Sequence, residues 1–128
     1  VTQTFTLDIP RAWWLSSNQR IHWATRARRT ATLRQLAWAQ AKAQRIRPAD
    51  GRVRITATIH SKTGGRFDPA NAYPTIKALV DGLTDAGVLV DDSSRYVVGP
   101  DMRAGEAMRE LAAGWHRVVL TIEPWEEA

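Results

Sequence analysis

Between Trp23 and Arg45 the chain contains neither glycine nor proline and is rich in Ala, Arg, Gln and Leu. These residues lose little on entering a helix, so the stretch predicts one long helix against which the rest of the chain must pack. Trp23, Ala27, Ala31, Trp38 and Ala41 fall near one face, with Leu33, Leu36 and Ala37 elsewhere. The apolar stripe is broad, and composition predicts the helix more than period does.

Strands are expected on either side of it. Thr2 to Ile9 alternates polar with partly apolar residues and stops at Pro10. The segment 13–20 has no clean period and reads as a loop. After the turn Pro48-Ala49-Asp50-Gly51, Val53, Ile55, Ala57 and Ile59 alternate with Arg54, Thr56, Thr58 and His60, the period of a half-buried strand. A second helix is predicted from Pro74, a residue suited to a first helical turn. Ile76, Leu79, Val80 and Leu83 recur along it, and Gly87 can end it. Arg95 to Val98 reads as a short strand, and Gly99 to Gly114 as a loop or a short helix around Glu106 to Leu111. His116 to Glu123 is a last strand, stopped by Pro124. The expected fold is α+β, a single domain over 1–128, with a mixed sheet, two main helices and the order β-α-β-α-β-β. A chain of 128 residues buries roughly two thirds of its unfolded surface and needs no staple.

With no cysteine, disulfides and thiolate metal sites are excluded, which fits a reducing, cytoplasmic setting. No long apolar run predicts a membrane span, and no charged-then-apolar leader reads as a signal peptide. Lys and Arg number 18 against 13 acids, a net charge of +5. That balance favours polyanion partners through phosphate neutralisation. Arg20, Arg26, Arg28, Arg29 and Arg34 crowd one segment, while acids cluster between Asp68 and Asp92. The arginines read as phosphate contacts or as a solvated helix face.

The acidic block runs from Arg66 to Asp92. Asp68 and Asn71 precede the second helix, Lys77 and Asp81 stand one turn apart on it, and Asp91 and Asp92 follow it. If the strand before Asp68 and the segment after Val90 are sheet neighbours, carboxylates from both ends reach one edge. Mg²⁺ takes one or two carboxylates plus waters and substrate phosphate. Such an ion activates water for phosphodiester hydrolysis, and a nearby lysine balances charge growing on the phosphate. Each feature also has a plainer reading. Asp68 before Pro69 is a common turn former, Lys77 with Asp81 a common solvated helix pair, and Asp91 to Ser94 a solvated loop.

Taken together, three runs resemble the signature of the RusA family of Holliday junction resolvases. They are Arg66-Phe67-Asp68-Pro69-Ala70-Asn71, Lys77-Ala78-Leu79-Val80-Asp81-Gly82-Leu83, and Ala86-Gly87-Val88-Leu89-Val90-Asp91-Asp92-Ser93. Lys77 to Asp92 matches without a gap, and Asn18 to Trp23 is similar to an Asn-centred basic segment near the start of family members. The resemblance implies a Mg²⁺-dependent endonuclease (Mn²⁺ being an alternative ion) that binds branched DNA and cuts four-way junctions as a homodimer in recombination and repair. It places the acidic site on Asp68 and Asp92, the essential lysine on Lys77, the family asparagine on Asn71 and the helix aspartate on Asp81. Arg20, Arg26, Arg28, Arg29, Arg34 and Arg66 would meet DNA. Two departures stand out. Ala70 replaces the second acid of the family's Asp-x-Asp-Asn turn, and the spacer from Asn71 to Lys77 is longer and contains Pro74. The expected working set is therefore Asp68, Asp81 and Asp92, supported by Asn71 or Asp91.

Trp13 and Trp14 read as base-stacking, core or interface residues. His22, His60 and His116 have no metal-ligand spacing and read as structural or surface groups. A non-catalytic branched-DNA module with a decayed metal site, and an RNA-binding domain, are the competing functions.

Overall fold

A computed structural model describes residues 1–65 and 67–126. It contains β1 (Gln3–Ile9), α1 (Trp23–Ala43), β2 (Val53–Ser61), α2 (Tyr73–Asp85), β3 (Val97–Ala104) and β4 (His116–Pro124). The expected order β-α-β-α-β-β and the mixed sheet are both present. The sheet order is β1-β4-β2-β3. β4 pairs antiparallel with both β1 and β2, and β2 pairs parallel with β3. None of the described helices is long and apolar enough to cross a membrane.

Register follows from the period of two. Phe5, Leu120 and Ala57 lie side by side across three strands, as do Leu7, Val118 and Ile59. All six are buried, on the face that the helices cover. Their alternates, such as Thr4, Thr121 and Thr56, are half-buried or exposed on the opposite face. A one-residue slip would exchange the two faces, so burial of one specifies the pairing.

Both helices end alike. Gly87 takes the left-handed conformation at φ 79°, and the Val88 N–H donates to the Leu83 carbonyl at 3.0 Å, which satisfies an end carbonyl. Arg45 does the same after α1 at φ 56°, with the Ile46 N–H on the Ala41 carbonyl at 2.9 Å.

Two local readings are corrected. The buried face of α1 is Leu33, Ala37 and Ala41, whereas Trp23 and Trp38 are exposed and Ala27 and Ala31 are too. Alanines face α2 because they let the helices approach closely. β3 begins at Val97 and runs to Ala104, through a register shift opposite Arg54 and Thr56. No helix follows it, since 105–115 are turns and loop.

Trp14 is buried and stacks on His116, with ring centroids 3.8 Å apart and planes 14° apart. Phe67 tilts toward the same imidazole at 6.3 Å. Trp14 is thus a core residue, not a base platform. His116 Nδ1 is buried with no hydrogen-bond partner among the described residues, and burial lowers the pKa of the imidazole. The unfolded chain therefore binds this proton more readily than the folded one. Stability is full above the unfolded value, about 6.5, and is lost as pH falls toward the lower folded value. Melting temperature should drop between pH 7.5 and 5.5, and His116→Phe should remove most of that drop. Equal drops in the two proteins would clear His116 of the effect.

Candidate functional site

The loop 14–19 gathers the amino ends of both helices. The buried Thr75 hydroxyl donates to the Leu15 carbonyl at 2.7 Å and accepts from the Leu15 N–H at 2.9 Å. The Ser17 N–H donates to the Asn71 carbonyl at 2.9 Å. From α1, Arg29 donates to the Trp14 carbonyl at 3.1 Å, and Arg26 reaches the carbonyls of Ser16 and Gln19 at 3.4 Å. Further along, Gly82 of α2 passes so near α1 that an added Cβ would lie 2.3 Å from the Arg34 carbonyl oxygen.

That contact fixes the height of α2, and Lys77 and Asp81 stand on its outer side. Lys77 Nζ donates to Asp81 Oδ1 at 2.7 Å and also to Asp92 Oδ2. Asp92 reaches this point because the turn after α2 leads the chain back to the helix. The Asp91 carboxylate accepts the Asp92 N–H at 2.7 Å and shapes that corner. The hydrogen bond from Lys77 holds the Asp92 carboxyl down at about 2, with smaller help from Asp81 and Asp91. Burial alone would lower the Lys77 pKa, but its hydrogen bonds to Asp81 and Asp92 outweigh this and raise it. The cluster is therefore a charged triad at neutral pH, an ammonium between two carboxylates. Its side chains are 42 % (Lys77), 21 % (Asp81) and 36 % (Asp92) exposed, so it is accessible and contributes little to stability.

Asp68 is engaged differently. Its carboxylate caps the 3-10 turn Pro69–Ala72, accepting the Ala70 N–H at 3.0 Å. Among the described residues no hydrogen bond or ion pair joins it to Lys77, Asp81 or Asp92. The strand before Asp68 and the one after Asp92 are indeed neighbours, but parallel ones. Asp68 thus follows the carboxyl end of β2 while Asp92 precedes the amino end of β3, and pairing alone does not bring the two together. No group of three or more His, Asp or Glu among the described residues is placed to hold a metal ion.

Of the basic residues singled out, Arg20 and Arg28 are exposed. Arg34 is committed to Asp85 through a two-point pair, with Nη2 on Oδ1 at 2.8 Å, and that hydrogen bond raises its pKa. The Arg34 backbone packs against α2 at Gly82. Arg66 lies outside the described residues. One feature escaped the sequence reading. Residues 9–49 contain no Asp or Glu but nine Lys and Arg, and among the described residues only Arg34 of these nine is ion-paired.

No protein-family model matches the chain, and no curated protein matches its sequence.

Proposed function

We propose that the chain is a RusA-like, Mg²⁺-dependent endonuclease that binds four-way DNA junctions as a homodimer and cuts them in recombination and repair. The observation that carries this reading is Lys77 held between Asp81 and Asp92 beside a strongly basic segment. Two carboxylates converging on one cation fit the small donor set Mg²⁺ accepts, since that ion keeps several waters and binds substrate phosphate. Asp81 and Asp92 would hold it, with Asp91 supporting the corner. When bound, the ion lowers the pKa of a water and stabilises charge on the phosphate. Lys77 then orients the phosphate and neutralises charge that grows on it. Symmetric cutting of a two-fold junction requires two such sites related by a dyad, and the sedimentation mass at tens of micromolar should be that of two chains.

The arginines divide by their contacts. Arg28 is exposed, and Arg28→Ala should reduce the log–log salt slope of junction binding by about 0.9 while leaving the melting temperature unchanged. Arg26→Ala should lower the melting temperature, because its guanidinium ties the loop 14–19 to α1. The opposite pattern would exchange their roles.

A second reading, a branched-DNA module without cleavage, is favoured by Ala70 and by the lack, among the described residues, of a third carboxylate placed with Asp81 and Asp92 to hold a metal. A metal titration of cleavage decides between them. Wild type should need high Mg²⁺ or prefer Mn²⁺, and Ala70→Asp should cut at lower Mg²⁺. Binding without cutting in both proteins under either ion would favour the module.

A further inference from the structure

We infer that Trp23 is a stacking post for an unpaired nucleobase, an inference that rests on the nucleic-acid reading above and narrows its substrate. Trp23 is the first residue of α1 and 77 % exposed. An indole in that place adds nothing to the core, and alanine would favour the helix more. It is nonetheless held from one side. The ring of His22 lies 5.5 Å from it, tilted by 32°, and His22 is itself fixed as the helix cap, its Nδ1 accepting the Ala24 N–H at 3.1 Å. The imidazole thus neighbours the indole while the Trp23 side chain stays open to solvent.

The surroundings select the partner. Arg20 and Arg28 flank Trp23 in the chain, both exposed. Arg26 and Arg29 spend their hydrogen bonds on neutral carbonyls, and among the described residues neither is ion-paired. The amino end of α1 adds a positive dipole end. A second copy docking here would bring the same positive field and be repelled. A polyanion with aromatic faces is complementary on both counts, because phosphates meet the arginines and a base meets the indole. In a paired duplex every base is already stacked, so the post engages single strands and the opened bases of a branch point. Along α1, Trp23 stands about 16 Å from Arg34, whose backbone packs on Gly82 of α2, roughly five stacked nucleotides away.

The test measures binding of the full chain to labelled twelve-residue oligothymidylate, to a duplex of equal length and to a four-way junction. Trp23→Ala should weaken oligothymidylate binding roughly 5- to 100-fold, with an unchanged salt slope because no phosphate contact is lost. Trp23→Phe should restore most of it, and duplex affinity should change less than about twofold. Trp38→Ala, at another exposed tryptophan of α1, should have no effect. The melting temperature of Trp23→Ala should match wild type. If wild type binds oligothymidylate and Trp23→Ala binds it equally well, the stacking post is wrong and the nucleic-acid reading stands. Equal competition by poly-glutamate in both proteins would likewise reduce the surface to a general anion site. If wild type binds none of the three DNAs, the nucleic-acid reading itself is wrong.

Discussion

Lys77→Ala should slow junction cleavage about 100-fold or more while leaving junction affinity nearly unchanged. The magnitude is that of removing one donor aimed at developing charge. Lys77 is suited to that role because it is ammonium at neutral pH, its pKa raised by two carboxylates despite burial. It is also held in place from two sides, by Asp81 on its own helix and by Asp92 from the following corner. Removing it leaves those carboxylates with no cation between them. The Asp92 carboxyl, held at about 2 chiefly by Lys77, should then move up. In wild type Asp92 stays ionised until pH falls to about 2, so it sets no acid limb near neutrality. In Lys77→Ala the Asp92 carboxyl should titrate at a higher pH than in wild type. Lys77→Arg keeps the charge but not the compact ammonium, and should recover only part of the rate. Single-turnover kinetics and carboxyl NMR titration measure the two effects separately. A wild-type rate in Lys77→Ala would remove the lysine from the chemistry.

Gly82→Val should be the most destabilising single change near the site. A Cβ at residue 82 would lie 2.3 Å from the Arg34 carbonyl oxygen and 2.6 Å from the Ala37 Cβ. Backbone of a helix cannot turn aside as a side chain would, so α1 and α2 must separate. Overpacking of this kind costs about 1–3 kcal/mol, valine falling at the upper end. For a domain of this size that is a loss of roughly 10 °C in melting temperature. Lys77 and Asp81 ride on the displaced helix, so activity should fall further than stability alone explains. Ala37→Gly in the same chain should return part of the melting temperature, since it removes one of the two contacts. A melting temperature within a degree or two of wild type would mean that the helices are not closely packed at Gly82.

The strands were legible because their alternation survives to the surface. Val53, Ile55, Ala57 and Ile59 are all buried, as their period requires. α2 was legible from Ile76, Leu79 and Leu83, which form its buried face, and from Gly87, which stops it. α1 was legible as a helix but not in its orientation. The stripe Trp23, Ala27, Ala31, Trp38 and Ala41 shares only Ala41 with the buried face, because close packing against Gly82 uses Ala37. Gly99 and Pro100 interrupt the alternation of β3 and hide its second half from the sequence, yet its pairing with β2 resumes beyond them. At the site, spacing alone paired Lys77 with Asp81. The arrival of Asp92 depends on how the chain folds back after Gly87, which no periodicity encodes. The role of Asp68 as a turn cap was the plainer of its two readings, and its contact with Ala70 favours that one. The stack of Trp14 on His116 joins residues about a hundred apart in the chain and left no local signal.

The proposed cutting site of a junction-selective nuclease consists of Asp92, Lys77 and Asp81. Its most direct test is nicking of a synthetic four-way junction in Mg²⁺ by wild type and Asp92→Asn, with linear duplex as the control. Asp92→Asn preserves size and removes one negative charge that would face phosphate. Wild type should nick the junction and spare the duplex, and Asp92→Asn should bind the junction at least as tightly and not nick it. Nicking by Asp92→Asn at the wild-type rate would contradict the assignment, as would a wild type that cuts no junction in either Mg²⁺ or Mn²⁺.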